Sequence, residues 1–373
     1  MSARKRVALL FGGASVEHEV SVVSARGIFS ALDKDRWECV PIGVAGDGAW
    51  LPPALSQRIL AGDAVRVEPA EGLSSLRILV DPGARGLLVA GRGEDPAALP
   101  VDVAFCVVHG WGGEDGRIQG LLDLAGIPCV GSGVLGSAVA MDKDVAKSLC
   151  VRAGIAVAGW SAWTREQYRS SPDELSRRIA SSARFPIFVK PANGGSSVGV
   201  SRVTDARGLP AALDAAFACD AKVLVEEGID GREIECAVLG NERPEASIPG
   251  EIVPSREFYD YAAKYLDATS RLLVPAPLEA STATAVREAA VAVFRALELS
   301  GLARIDFFLE RESGRVLFNE ANSLPGFTPI SMYPKLWEAT GLTYRGLLDR
   351  LLELAIARGE EDRRRRTRWQ GTD

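Results

Sequence analysis

The sequence predicts an α/β protein that opens with a doubly wound, Rossmann-like domain and continues into α+β structure. Arg6-Val-Ala-Leu-Leu-Phe11 is a continuous apolar run, the pattern of a strand buried on both faces of a parallel sheet. Gly12-Gly13-Ala14-Ser15 breaks it, and Val16, Val20 and Val23 follow at helical spacing, the strand–turn–helix unit of doubly wound folds. From residue 221 onward strand-like runs dominate and are accompanied by two long helical patterns, which is an α+β arrangement.

Further strands are predicted at 37–44 and 101–108, with 51–100, rich in Pro, Gly and Ala, reading as loops and short elements. Gly131-Ser-Gly133 closes the first domain. Helical patterns at 142–153, 173–182 and 205–218 then alternate with strands at 185–190 and 198–203. Strands follow at 221–227, 232–239, 302–310 and 315–321, with helices at 282–298 and 343–357. Residues 246–275 lack periodicity and read as a long loop inside a compact domain, the usual form of a lid. Arg363 to Arg366 mark a solvated tail.

Composition narrows the function class. At roughly 100–200 residues per domain, 373 residues make two or three domains. With 43 basic against 49 acidic residues the net charge is −6, which argues against a dedicated nucleic-acid or anionic-membrane binder. No apolar stretch approaches the ~20 residues that span a bilayer. Met1 to Arg6 lead straight into the first strand, so no signal peptide is expected. Cysteines 39, 106, 129, 150, 219 and 236 are scattered without CxxC spacing and read as thiols of a reducing cytoplasm. Two histidines leave little scope for a His-rich zinc site.

Only eight of the 43 basic residues are lysine, so a generic positive charge is supplied by arginine. A lysine is then a candidate for a place where only a compact ammonium fits, such as a phosphate. Lys143, Lys190 and Lys264 stand out, against the alternative of ordinary surface lysines.

The strongest site readable from the residues is a hairpin. Leu302 to Glu310 and Arg315 to Ala321 flank the turn Glu312-Ser313-Gly314, so paired positions sum to 626 and Asp306 faces Glu320. Arg304 and Asn322 share that face through the two-residue repeat. Facing carboxylates in an apolar sheet repel and lose hydration, and a divalent cation relieves both. Oxygen ligands without His or Cys suit Mg²⁺ or Mn²⁺. The alternative is a buried Arg304–Asp306 salt bridge, and a one-residue slip in register would separate the carboxylates.

Two glycine loops are phosphate candidates. Phe185-Pro-Ile-Phe-Val-Lys190 ends a strand in lysine before Gly194-Gly-Ser-Ser197, whose N–H groups and hydroxyls can cradle phosphate; a plain hairpin turn explains the loop equally well. The lysine precedes the glycines, so this is not a Walker A loop. The Gly12–Ser15 turn lacks GxGxxG spacing, but puts Glu17 and His18 in the first helical turn, where a carboxylate either binds a ligand or complements the helix dipole.

With these pieces in order, the chain resembles the D-alanine–D-alanine ligases of the ATP-grasp superfamily over about residues 5–358. The likeness rests on Gly12-Gly-Ala-Ser-Val-Glu-His-Glu-Val-Ser21, His109-Gly-Trp-Gly-Gly-Glu-Asp-Gly116 with Ile118-Gln-Gly120, Met141-Asp-Lys143, Lys190 to Gly199, Phe258-Tyr-Asp-Tyr-Ala-Ala-Lys-Tyr265, Arg304-Ile-Asp306 and Asn319-Glu-Ala-Asn322 through Pro325-Gly326. The resemblance implies a substrate-binding domain at 1–131 and a two-part ATP-grasp fold. The latter comprises a central subdomain at 132–224 and a C-terminal domain at 225–360 with a lid near 246–275, before a flexible tail at 361–373. It further implies that Glu17 binds the ammonium of the first D-alanine, with His109 near its carboxylate. Lys143 and Lys190 would hold ATP phosphates under a loop carrying Ser196 and Ser197. Glu226, Ile229 and Glu233 would hold adenine and ribose. Lys264 and Tyr265 would lie on the lid, with Tyr265 joining Glu17 and Ser196 in a hydrogen-bonded group; a structural tie between domains is the other reading of that group. Asp306, Glu320 and Asn322 would bind two Mg²⁺ (or Mn²⁺). Arg304 and the Gly326 N–H would stabilise the anionic transition state, and Ser331 and Met332 would face the second substrate. The implied partners are two D-alanine molecules and ATP, in a homodimer serving peptidoglycan precursor synthesis, with no nucleic acid and no membrane.

Two residues depart from the family pattern. Ser323 replaces an expected threonine and keeps its hydroxyl. Trp111 stands where smaller residues are expected, and either narrows the first D-alanine pocket or packs outward. Three rival readings are weaker. A D-alanine–D-lactate ligase of the vancomycin-resistance type carries a lid histidine where this chain has Lys264-Tyr265. A nicotinamide dehydrogenase needs the missing GxGxxG. A non-catalytic nucleotide sensor should have lost Lys190, Arg304, Asp306 or Glu320.

Overall fold

A computed structural model describes residues 4–68, 86–89, 97–253 and 271–364. Along the chain, β1 (Lys5–Gly12), α1 (His18–Ala31), β2 (Trp37–Val44) and α2 (Pro53–Ala61) come first. β3 (Gly86–Val89) pairs with β4 (Ala97–Pro100), and β5 (Val103–Cys106) completes a parallel sheet of order β2-β1-β5. Gly12 shows why the first turn needs glycine: φ is 95°, and a Cβ would lie 2.2 Å from the Val44 carbonyl oxygen. Helices α3 (Arg117–Leu124), α4 (Val134–Met141) and α5 (Lys143–Arg152) lead into the second sheet. Asp142 caps α5, accepting from the N–H groups of Asp144 and Val145.

The second sheet is built from β6 (Trp160–Thr164), α6 (Arg165–Ser170), α7 (Pro172–Ser182), β7 (Ile187–Pro191), β8 (Ser201–Val203), α8 (Leu209–Cys219) and β9 (Lys222–Glu227). Its order is β6-β9-β7-β8, all antiparallel. The third contains β10 (Gly231–Gly240), β11 (Glu245–Ala246), β12 (Gly250–Val253), β13 (Arg271–Leu273), β14 (Gly301–Glu310) and β15 (Val316–Asn322), in the order β13-β12-β10-β14-β15 with β11 on β10. Helix α9 (Ala280–Ala296) packs on this sheet, and α10 (Met332–Ala339) and α11 (Tyr344–Arg364) end the described chain.

The core of the first sheet is completed from the far end of the chain. Val7, Leu9, Phe11 and Phe105 share one buried cluster with Phe327, Tyr333, Leu347 and Leu351. The Trp37 indole N–H donates to Asp349 at 2.6 Å, and Arg36 bridges Asp349 at 2.7 Å and Glu353 at 2.5 Å.

Several expectations are corrected. The 246–275 segment is not one loop: its described ends form β12 and β13, paired from Glu251↔Leu273 to Val253↔Arg271. The tail expected from 361 is helical through Arg364 in α11. Strand β9 runs unbroken across the 224/225 boundary and, among the described residues, pairs only within the second sheet. The strand expected at 198–203 is confined to β8, because Gly194–Val200 is spent on the glycine loop.

The hairpin places Asp306 opposite Glu320 and Arg304 opposite Asn322, as the sum of 626 requires. Nearer the turn, however, Phe307 faces Phe318 and Leu309 faces Val316. The register shifts by one residue after Asp306, leaving Asn319 as the extra residue of a β-bulge. Without the bulge the turn would set Asn319, not Glu320, against Asp306.

Candidate active site

Two cavities, of about 620 and 530 Å³, lie between the three sheets and meet at Lys143, the Gly194–Ser196 loop, Glu235 and Glu320. The larger is lined by Glu17, His109, Arg304, Asn322, Gly326, Ser331 and Met332, and the smaller by Lys190, Ser197, Glu226, Ile229, Glu233 and Asp306. Lys143, Ser196 and Glu320 line both. Lys264 and Tyr265 lie outside the described residues.

In the larger cavity, Glu17 sits at the N-terminus of α1 but makes no cap with its side chain. Its carboxylate instead accepts from the Ser196 hydroxyl at 2.5 Å, joining the first turn to the loop after β7. Ser196 and Ser197 both adopt left-handed backbone, φ 51° and 58°, uncommon for residues with a Cβ. The first turn is also tied to the His109 loop, since the Ser15 hydroxyl donates to the His109 carbonyl at 2.7 Å. His109 is buried, with Nδ1 3.1 Å from the Leu324 carbonyl and 3.4 Å from Glu114, and Nε2 3.3 Å from Ser24 Oγ. Burial opposes a charge on His109, but Glu114 and then Glu17 outweigh it and raise its pKa. His18 diverges from this group and braces the loop at Gly13 (2.6 Å) and Val67 (2.8 Å).

On the facing wall, a Cβ on Gly326 would meet Ser331 Oγ at 2.7 Å, so glycine is what lets this backbone approach the serine. Ser331 Oγ also accepts from the Thr328 N–H at 3.0 Å. Ser323 is buried and lines the same cavity. Trp111 lines neither cavity; it is 64% exposed and stacks with Arg117, whose guanidinium carbon is 4.0 Å from the ring centroid. Trp111→Ala should therefore leave the KM for the first amino acid within about twofold of the original, the usual reach of a surface change. A steady-state titration of that substrate checks it, and a larger shift would place the indole in the pocket.

The third sheet carries a row of three carboxylates, because Glu235 on β10 faces Asp306 on β14, which faces Glu320 on β15. Arg304 lies among them, donating to both Asp306 oxygens at 2.8 Å and standing 3.1 Å from Glu235. Burial works against the Arg304 charge, but Asp306 and Glu235 raise its pKa well above the ordinary arginine value. Asn322 donates its amide N–H to Asp306 at 3.1 Å, and Lys143 stands 3.4 Å from Glu320 and donates to the Gly194 carbonyl at 2.5 Å. The salt-bridge alternative of the sequence is thus present, and the facing carboxylates are present with it. Among the described residues no three His, Cys, Asp or Glu side chains converge as a ready cation cage. The donor set nonetheless suits a hard cation: Asp306 and Glu320 face each other beside the Asn322 amide, an oxygen-rich set without His or Cys. Asp306, Glu320 and the Asn322 amide oxygen would hold it.

At the other end of the smaller cavity, Lys190 lies 2.6 Å from Glu226 and 3.5 Å from Asn319 Oδ1, while Lys147 reaches the other Glu226 oxygen at 2.8 Å. Glu114, Glu235 and Lys147 were not singled out by the sequence. Glu235 was within reach of it, since it lies two residues from Glu233 on one strand face. Lys147 was too, as one of only eight lysines and one turn from Lys143.

Two family models match the chain, D-ala D-ala ligase N-terminus over residues 6–132 and D-ala D-ala ligase C-terminus over residues 149–353. A D-alanine–D-alanine ligase of Caldicellulosiruptor bescii is 44% identical over 95% of this chain and 96% of its own length. The chain belongs to the D-alanine–D-alanine ligase family. D-alanine–D-alanine ligase A of Chromobacterium violaceum is 51% identical, covering 96% of each chain. Among solved structures, the D-alanine–D-alanine ligase of Coxiella burnetii aligns with TM-score 0.82 at 36% identity over 96% of each chain. VanG D-Ala:D-Ser ligase of Enterococcus faecalis also aligns at 0.82, with 35% identity over 95% of this chain and 100% of its own. The ATP-grasp fold expected for this family is the fold seen, and the two matched regions contribute opposite walls of the larger cavity: Glu17 and His109 from one, Arg304 and Gly326 from the other.

Proposed function

We propose that the protein joins two D-alanine molecules into D-alanyl-D-alanine at the expense of ATP, through a D-alanyl phosphate. The observation that supports this most directly is the junction of the two cavities at Lys143, Ser196 and Glu320. It offers a nucleotide chamber and an amino-acid chamber that share an ammonium, a hydroxyl and a carboxylate where phosphate and substrate carboxylate would meet.

In this reading Glu17 takes the ammonium of the first D-alanine, and His109, held protonated more readily by Glu114, faces its carboxylate. That carboxylate attacks the γ-phosphorus of ATP, ADP leaves, and the acyl phosphate forms. Lys143 and Lys190 align the phosphates and offset their charge; little covalent help from the protein is needed. Mg²⁺ bound at Asp306, Glu320 and Asn322 would neutralise phosphate charge. The second D-alanine, as free amine beside Ser331 and Met332, attacks the acyl carbonyl and expels phosphate. Arg304 and the Gly326 N–H stabilise the oxyanion. Ser196, Ser197 and the lid residues exclude the water that would hydrolyse the intermediate. Glu226, Ile229 and Glu233 hold adenine and ribose.

The domain division is part of the proposal, with the central subdomain extended to Glu227 to keep β9 whole, as are a homodimer and a cytoplasmic site supplied with ATP. No described helix is long and apolar enough to cross a membrane. The test is phosphate release from ATP and Mg²⁺ against a panel of D-alanine, D-serine, D-lactate and other D-amino acids, with product masses. D-alanyl-D-alanine should dominate; a D-serine or D-lactate product in its place would overturn the substrate assignment.

Tyr265 belongs to this reading. The second substrate must react as a neutral amine, and a phenol adds no cation beside it. Tyr265→Phe should retain dipeptide synthesis but gain ester formation with D-lactate, most clearly at lower pH, where less of the competing amine is free. Product ratios from mixed D-alanine and D-lactate measure this, and a ratio unchanged from about pH 6 to about pH 9 would move specificity to Met332.

A further inference from the structure

Glu226 is held by two lysines, of which only one reaches a cavity. The Glu226 side chain is 4% exposed, with Lys190 at 2.6 Å from one oxygen and Lys147 at 2.8 Å from the other. Lys190 lines the smaller cavity. Lys147 is fully buried and lines neither; among the described residues it also reaches the Phe318 carbonyl at 3.4 Å and the Phe318 ring. It stands one turn after Lys143 on α5, so one helix face sends its first ammonium into the site and its second behind it.

We infer that Lys147 is a positioning residue: a fixed counter-ion that keeps Glu226 ionised when Lys190 turns from Glu226 to the ATP phosphates. This rests on the assignment of ATP to the smaller cavity. One ammonium cannot fully serve a buried carboxylate and a phosphate at once. A carboxylate left alone at that depth takes up a proton, and then loses one acceptor for the adenine and ribose donors it is assigned. With Lys147 in place, the departure of Lys190 leaves a balanced pair. The charged groups around Glu226 agree with this. Lys147 comes from α5 and Lys190 from β7, and Glu233 of β10 lines the same cavity. Burial lowers the Lys147 pKa and Lys190 adds to that, while Glu226 and Glu320 of β15 oppose it, so Lys147 holds its proton better once Lys190 has moved. Burial alone would raise the Glu226 pKa; Lys190 and Lys147 together hold it below the ordinary glutamate value.

The test is the KM for ATP of the wild type, Lys147→Met, Glu226→Gln and the double variant between about pH 6 and about pH 9. Lys147→Met should raise the ATP KM about tenfold, with the D-alanine KM little changed. That KM should also climb with pH, because nucleotide binding now takes up a proton at Glu226. On the Glu226→Gln background the same change should cost less than about threefold, and the pH slope should vanish. A pH-flat Lys147→Met, or an equal effect on both backgrounds, reduces Lys147 to packing and overturns the inference. If Glu226→Gln and Lys190→Arg leave the ATP KM untouched, the nucleotide assignment fails and the inference falls with it, a result distinct from the first. Should Lys147→Met fail to fold, calorimetry of ADP binding to the wild type in buffers of differing ionisation enthalpy decides. Near-zero proton uptake at about pH 8 is expected, and uptake approaching one proton overturns the inference.

Discussion

Lys190→Arg should lose about 10²–10³ in kcat/KM for ATP, the usual cost of one charged hydrogen bond to a developing charge. The substitution keeps the charge, and the geometry explains why that is not enough. Lys190 is a compact ammonium, 10% exposed, between Glu226 at 2.6 Å and the cavity. A guanidinium there would pair with the Glu226 carboxylate through two parallel N–H groups and remain on it, and its bulk does not fit between strand and phosphate. The Glu226–arginine pair also keeps the protein folded, so thermal unfolding should move little while turnover collapses. Retention of more than about a tenth of kcat/KM would remove Lys190 from the phosphates.

Glu320→Gln should raise the Mg²⁺ concentration for half-maximal turnover by at least about tenfold, the range found when a metal site loses a supporting group. The fold should survive, because Glu320 is only partly buried, its side chain 24% exposed, and glutamine fills the same volume. Asp306 remains tied by Arg304, so the variant isolates one ligand of the facing pair. A magnesium titration at saturating ATP and D-alanine reads it; an unchanged requirement would leave Glu320 as a partner of Lys143 alone.

The parallel sheet was legible because β1 is a run of apolar residues bounded by glycine, a pattern with few other solutions. The carboxylate hairpin was legible too, yet through a register that holds only on one side of Asn319. No residue type announces the bulge, since it arises from how the turn and the cross-strand pairs compromise in three dimensions. The short helices α4 and α10 were missed for related reasons. Val134 to Met141 is apolar almost throughout and carries no face, and Pro334 in the first turn of α10 reads as a breaker in sequence. The site was recovered where chemistry is carried by glycine loops and paired charges. Lys147 could have been noticed as a rare lysine one turn from Lys143, but its partner could not, because only the packed structure brings Glu226 to it. Glu114 lies in the His109 motif, but its contact with the His109 ring comes from their shared burial.

The closing of the first sheet by α11 also governs how this chain is made. Domains generally fold from the N-terminus as they leave the ribosome. Here the face of β1 that carries Val7, Leu9 and Phe11 is completed by Leu347, Leu351 and their neighbours, which leave the ribosome long after it. Val22, Ala25 and Ile28 of α1 cover part of this cluster early, but the share taken by Leu347, Leu348 and Leu351 stays open until α11 is made. A message cut short before Tyr344 therefore yields a product with an exposed apolar patch. The enzyme's first strand is thus secured by a helix made far later in the chain, and losing that helix would leave its apolar face to other molecules.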